Sequence, residues 1–289
     1  MHYKINQEWL YLTIDDLFID HSIEDFFQAF YQSKKTIHLY KQNKDYLLNN
    51  SFVPSTTLLK KGDILALHCF KQDIPFIKTK MDLEIVYEDD FLIIVNKPKY
   101  MNVHPDSPSQ VNTLVNGLAY YLQYQMVSLR YIHRLDYETT GLVIFTKCSL
   151  VQPLLDHELA IKEIHRYYKA YIEGKIPDTT VHQKIGKDRH NAKKMRVSST
   201  GKEATTHFKT LQYKNNISEI ECILDTGRTH QIRVHLAYLK HPIIGDPLYN
   251  PKRSKTNLAL HAYKVTFKHP ISQEMLTITC QSPYEYLLK

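Results

Sequence analysis

Glycine is scarce in this chain, with 8 among 289 residues, and proline is held to 12. That excludes collagen-like and low-complexity architectures, which use one or both in quantity. Long apolar runs are missing as well. The longest, such as Phe91–Val95 and Leu142–Phe145, fall far short of the roughly 20 residues a membrane-spanning helix needs. Met1 leads into polar and charged residues with no apolar secretory core, so a soluble cytoplasmic protein is expected. The four cysteines (Cys69, Cys148, Cys222 and Cys280) form no Cys-x-x-Cys pair. This removes a zinc knuckle and a disulfide framework, leaving free thiols of which three sit in core-like stretches. Neither a Gly-rich phosphate loop nor a metal-ligand cluster is present. His230 and His235 are five apart, not the four that put two ligands on one helix face. These histidines are better suited to hydrogen bonding behind a site.

What is there is a large apolar share, 43% of residues, ample for a substantial core. The formal net charge is +7. Most of it lies between Lys184 and Lys209, where eight basic residues, among them Lys193 and Lys194, face only Asp188 and Glu203. A solvated charged loop and a phosphate-contacting arm both fit such a window.

Residues 1–80 differ in pattern from 81–289. In the first stretch, Ser22-Ile23-Glu24-Asp25 reads as a helix start, followed by Phe26, Phe27, Phe30 and Tyr31 at helical spacing. Lys60-Lys61-Gly62-Asp63 then turns into the short strand Ile64–Leu67. The unit reads as a small independent α/β domain, with Gln72–Met81 as its linker. Beyond it, strand-like runs recur at Phe91–Val95, Leu142–Thr146, Tyr167–Ile172, Thr205–Leu211, Ile220–Leu224, Tyr263–Phe267 and Met275–Cys280. Helical patterns intervene at Asn112–Leu122, Ser149–Ile161 and Thr229–Lys240. Strands outnumber helices and do not alternate with them strictly. The expected class is therefore α+β, on a mixed, mostly antiparallel sheet flanked by helices. No repeat occurs at solenoid periods.

Two stretches can carry chemistry. His133-Arg134-Leu135-Asp136-Tyr137-Glu138-Thr139-Thr140-Gly141 puts an arginine and an aspartate on a loop feeding the buried run Leu142–Phe145. A functional pair and a simple turn cap are both open at this point. In Asp225–His235, Gly227 permits a tight turn, Thr229 suits an N-cap, and Ile232, Leu236 and Leu239 form one apolar helix face. Arg228 then stands at the helix entrance, able to meet a carboxylate in bidentate fashion.

His133–Gly141 resembles the His-Arg-Leu-Asp-x-x-Thr-Ser-Gly signature of the RluA/RluD family of RNA pseudouridine synthases, and Gly227–His235 resembles that family's second hallmark. Further segments follow in the family's order: Glu88–Pro98, Val103-His104-Pro105, Tyr168–Gly174, Lys193-Lys194-Met195, Gly245–Tyr249 and Leu260-His261-Ala262. Together they cover about Leu83 to Pro283. Thr140 replaces the usual serine and keeps a hydroxyl, and Arg166 stands where lysine is more common. The Lys-x-Gly-Asp turn at 60–63 resembles the end of a small RNA-binding domain first described in a ribosomal protein, in a degenerate form.

The resemblance implies a reaction without redox change or phosphate transfer, hence no cofactor and no metal. It implies Asp136 as the catalytic carboxylate, acting as nucleophile or as base, with Arg228 paired to it. Tyr168 is implied to stack on the detached uracil and help remove the C5 proton, with Ile232 on the other side of the ring. Arg134 is implied to fill the gap left in the RNA, and His133 to contact substrate beside it. Lys193 and Lys194 become phosphate contacts. Structured RNA is the implied partner, ribosomal RNA first and transfer RNA second; apart from the resemblance, a monomer is the default expectation. Two other readings compete: a binding protein that lost catalysis, and a nucleic-acid N-glycosidase. Against the first stands the intact Asp136, Tyr168 and Arg228 set. Against the second stands the want of a second signature acid, Glu138 being the one acid near Asp136 in sequence.

Overall fold

A computed structural model describes residues 2–252 and 256–289. The amino-terminal part is built on β1 (His2–Asn6), β2 (Trp9–Thr13), α1 (Ile23–Ala29), α2 (Lys34–Asn43), β3 (Tyr46–Leu48) and β4 (Ile64–His68). Its sheet runs β1-β2-β4-β3, antiparallel throughout. The Ser22 expectation is met as a capping box: the Ser22 hydroxyl accepts the Asp25 N–H, and the Asp25 carboxylate accepts the Ser22 N–H. Such a cap contributes about 1 kcal/mol.

The rest begins with β5 (Glu84–Glu88), β6 (Leu92–Lys97), α3 (Leu114–Tyr121), β7 (Arg130–Tyr131), β8 (Thr140–Thr146), α4 (Gln152–Ala160) and β9 (His165–Glu173). It continues with β10 (Thr179–His182), β11 (Ile185–Lys187), β12 (Met195–Val197), β13 (Thr205–Lys214), β14 (Ile217–Leu224), α5 (Gln231–Tyr238), β15 (Leu260–Lys268) and β16 (Met275–Thr279). One large sheet runs β10-β13-β14-β9-β15-β8-β6-β5, with β16 added on β15 and β7 on β8. Among the named strands of the described residues only β8 and β15 pair in parallel, and Asp73 and Ser128 form an isolated parallel bridge. The class is α+β. The strands β11 and β12 form a separate hairpin.

β6 and β8 are buried on both faces, which explains their unbroken apolar runs. Leu92, Ile94, Leu142 and Ile144 look one way, Ile93, Val95, Val143 and Phe145 the other. The second face packs beneath α3 and α5 through Leu114, Leu118, Ile232 and Leu236. The first face shares a continuous core with the amino-terminal unit, including Phe26, Phe27, Leu65 and Phe70. That unit is therefore docked rather than independent. Gln32 donates to the Leu150 carbonyl at 2.8 Å, and the Cys69 and Cys148 sulfurs lie 3.4 Å apart across the junction. Residues 72–81 run as a strap along the larger part: Asp73 N–H bonds Val127 O, and Thr79 N–H bonds Asn116 O.

Two glycines at positive φ near the site are dictated by close approach. Gly141 has φ +117°, and a Cβ there would lie 2.3 Å from the Ala262 carbonyl oxygen. Here β8 and β15 come together, so this glycine lets the loop bearing Asp136 enter the sheet. Gly245, at φ +74°, meets the Asn257 carbonyl at 2.2 Å in the same sense and sets Asp246 in place.

Candidate active site

Residues 132–139 link β7 to β8. The loop is held from below. Ile132 N–H bonds Ile144 O at 3.0 Å, and the His133 Nε2 accepts the Ile144 N–H at 3.3 Å. That bond places the His133 proton on Nδ1. Burial, with the nearby Arg166 charge, pulls the His133 pKa down to about 3, so the ring is neutral. His133 reaches the cavity wall, yet its ring nitrogen is occupied by backbone. Thr139 N–H closes a turn onto Asp136 O at 3.1 Å. The Thr140 hydroxyl shares a 2.7 Å hydrogen bond with His261 Nδ1, which is what its hydroxyl, common to serine, is for.

Lys97 ties this loop to the one after β6. Its fully buried ammonium donates to Pro98 O (2.9 Å), Met101 O (2.8 Å) and Tyr137 O (3.3 Å). Burial lowers the Lys97 pKa to about 7, and the Asp136 and Glu138 charges hold back a further fall.

The guanidinium beside Asp136 is that of Arg233, not Arg228. Arg233 is completely buried on α5. Its Nε and Nη2 donate to the two oxygens of buried Asp246, both at 2.9 Å, while Nη1 reaches Asp136 Oδ2 at 3.3 Å and Glu138 Oε2 at 3.6 Å. Burial alone would lower the Arg233 pKa, but the Asp246 bonds and the Asp136 and Glu138 charges outweigh it and hold the group above its ordinary value. Arg228 instead donates through Nε to Glu203 O at 2.9 Å from the cavity rim. The reason is where α5 starts. Thr229 is not the N-cap: His230 takes that place with φ 56°. Gln231 fixes the turn, its Oε1 accepting from Thr226 Oγ1 and Arg228 N and its Nε2 donating to Thr205 O. Arg228 is thereby left ahead of the helix, and the first inward-facing arginine is Arg233.

His230 also turns to the site. The Tyr249 hydroxyl accepts the Met195 N–H at 2.8 Å and shares a 3.0 Å hydrogen bond with His230 Nδ1, with His230 Nε2 facing Asp136 Oδ2 at 3.8 Å. His235 is hydrogen-bonded to Thr206 Oγ1 and Gln183 O. Both histidines are engaged in hydrogen bonds.

These groups surround an open cavity of about 1150 Å³. Tyr168 on β9 and Ile232 on α5 form part of its wall, both largely buried. Burial pushes the Tyr168 phenol pKa up, so it is protonated at neutral pH. Arg134 lies exposed at the edge, without a hydrogen bond or ion pair among the described residues. Arg166 is buried in the wall, with no carboxylate partner among the described residues. The basic window becomes the β11–β12 hairpin, which packs on Val234 and Tyr249. Its exposed Lys193 lines the cavity, and the Lys194 ammonium sits 5.8 Å from the Tyr249 ring centre. The structure so assembles Asp136, Tyr168, Ile232, Arg134, His133, Lys193 and, at the rim, Arg228.

Two family profiles match. RNA pseudouridylate synthase covers residues 91–238, and the RluD ribosomal pseudouridine synthase N-terminal domain covers residues 10–65. The uncharacterized RNA pseudouridine synthase YhcT of Bacillus subtilis is 37% identical over 87% of this chain and 85% of its own length. Ribosomal large subunit pseudouridine synthase D of Neisseria meningitidis serogroup A is 40% identical over 74% of this chain and 61% of its own length. Among solved structures, human RNA Pseudouridylate Synthase Domain Containing 1 shares the fold, with a TM-score of 0.60 at 24% identity over 72% of this chain and 86% of that one. With a catalytic-domain profile over half its length and relatives well above 30% identity, this chain belongs to the RluA/RluD family of RNA pseudouridine synthases.

Proposed function

We propose that this isomerase converts uridines of large-subunit ribosomal RNA, in the cytoplasm, with Asp136 as its reacting carboxylate. The observation that carries the reading is a carboxylate at an open cavity with a buried guanidinium, Arg233, 3.3 Å from its Oδ2. The reaction breaks N1–C1′, turns the base, and joins C5 to C1′, with the C5 proton lost and N1 protonated. Whether the carboxylate attacks C1′ or removes a ribose proton, it must be ionised. Tyr168 and Ile232 hold the detached ring between them. Arg134, free at the edge, fills the stack vacated by the extruded base and offsets part of a cost of a few kcal/mol. The name of the Neisseria relative supports ribosomal RNA as substrate.

Tritium release from RNA labelled at uridine C5 is the test, run with ribosomal and transfer RNA side by side. Release from ribosomal RNA without free uracil is expected. Free uracil would mark an N-glycosidase, and preference for transfer RNA would move the substrate.

The hairpin supplies sequence-independent affinity. Lys193→Glu with Lys194→Glu is expected to weaken RNA binding and to lower the slope of log K against log salt by about 2, one for each phosphate no longer neutralised. Both residues lie outside the main core, so the melting temperature stays close to that of the wild type. An unchanged slope, measured by filter binding across salt, removes the hairpin from the RNA path.

A further inference from the structure

Two tyrosines beside the cavity have no part in the chemistry above. Tyr137 directly follows Asp136, and Tyr100 lies in the loop after β6. Their rings are 5.8 Å apart, tilted by 48°, and 48% and 47% exposed for Tyr100 and Tyr137. Half-exposed tyrosines are ordinary, but the backbone of Tyr137 and the side chain of Tyr100 are both anchored. The Tyr137 carbonyl accepts both the Lys97 ammonium and the Met101 N–H at 3.2 Å, which locks the two loops together. The Tyr100 hydroxyl bonds the Asn257 side chain. Tyr100 also has φ 60°, a conformation costly for a bulky residue and kept only where surroundings impose it. A Lys99 ammonium stands 5.7 Å from the Tyr100 ring. Rigid π-faces, an adjoining positive charge and a position next to the reacting carboxylate fit one ligand class.

We propose that Tyr100 and Tyr137 form a stacking step for an unpaired nucleobase neighbouring the target uridine. The inference rests on the reading of RNA as substrate. Extruding the target leaves its neighbours unstacked, and an aromatic face recovers that stacking for any base, since every base has a π-face. Lys99 meets the phosphate joining that neighbour to the next nucleotide. Tyr137 lies on the opposite side of Asp136 in sequence from Arg134, so the loop that carries the filler for the gap also supplies half of the seat for the displaced neighbour, and the loop after β6 supplies Tyr100.

The test is a double-mutant cycle on a ribosomal RNA fragment from which wild type releases tritium, read both as KM and as Kd. One arm is Tyr137→Ala or Tyr100→Ala. The other is the same fragment with an abasic nucleotide on the 5′ or the 3′ side of the target. Each tyrosine deletion is expected to raise KM and Kd by about 5- to 100-fold on intact RNA. On RNA abasic at the stacked position the same deletion has little further effect, and Tyr137→Phe behaves as wild type. Equal losses on intact RNA and on both abasic RNAs, or no loss at all, would overturn the step while leaving the isomerase intact. No tritium release by wild type from any RNA would instead sink the functional reading, and the Kd cycle would still decide whether the tyrosines hold a base.

Discussion

Asp136→Asn is expected to lower tritium release by at least about 10³-fold, the order lost when a group acting directly on the substrate is removed. The substitution is nearly isosteric, so the loss reports charge and nucleophilicity rather than shape. Its cost in stability is expected to be about 1 kcal/mol or less, because Asp136 is the weakly bonded partner of Arg233 at 3.3 Å, whereas Asp246 retains both of its 2.9 Å bonds. RNA affinity is expected to persist, since the lysines proposed to meet phosphate, Lys193 and Lys194, are other residues. Thermal melting and filter binding on the same variant separate the three effects. A residual rate within about tenfold of wild type would shift the chemistry to Glu138, the other carboxylate on Arg233 at the cavity.

The elements that were readable are those whose periodicity is set by burial. The runs around Ile93 and Ile144 are buried on both faces and so are continuous in sequence, and α1 announces itself through Ser22, Asp25 and a phenylalanine face. Elements without a buried face wrote a fainter signal. β1 is exposed along nearly its whole length, and its turn into β2 uses Gln7 at φ 53° rather than a glycine or asparagine. α2 is strongly polar, with Ile37 and Tyr40 its buried residues. Asn215-Asn216, both at positive φ between β13 and β14, was a legible hairpin signal that the strand runs on either side did not need.

The candidate site divides in the same way. Asp136, Tyr168 and Ile232 were found because each stands in a recognisable segment, and the structure brings those segments to one cavity. The carboxylate's cation is not legible in the sequence, for a physical reason. Arg228 and Arg233 both follow the glycine turn, and which of them faces inward depends on a helix starting one residue later than its serine-like cap suggests, through a histidine in the left-handed region. The decisive partner, Asp246, comes from a different loop set by Gly245. No local rule links residues 136, 233 and 246. What the sequence did contain was an arginine inside an apolar helix face, and a buried arginine needs carboxylates somewhere.

Arg233→Met therefore has two expected effects that can be pulled apart. Removing the cation strands Asp246, fully buried with its Oδ1 still bonded to Leu248 N and Tyr249 N. An uncompensated buried carboxylate costs about 3–5 kcal/mol, so the melting temperature is expected to fall by roughly 10 °C in a chain of this size. Activity is expected to fall by at least about 10²-fold, since Asp136 and Glu138 lose their shared positive partner. Adding Asp246→Asn removes the stranded charge and keeps an acceptor for the two backbone donors. Arg233→Met with Asp246→Asn should then recover most of the stability and little of the activity, because nothing restores a cation at Asp136. Arg228→Ala, which loses one bond to the Glu203 carbonyl at the rim, is expected to stay within about tenfold of wild type. Activity that returns along with the fold in the double variant would reduce Arg233 to a structural residue. A loss at Arg228 as large as at Arg233 would mean that bound RNA draws Arg228 to the carboxylate, and the partner implied by family resemblance would be restored.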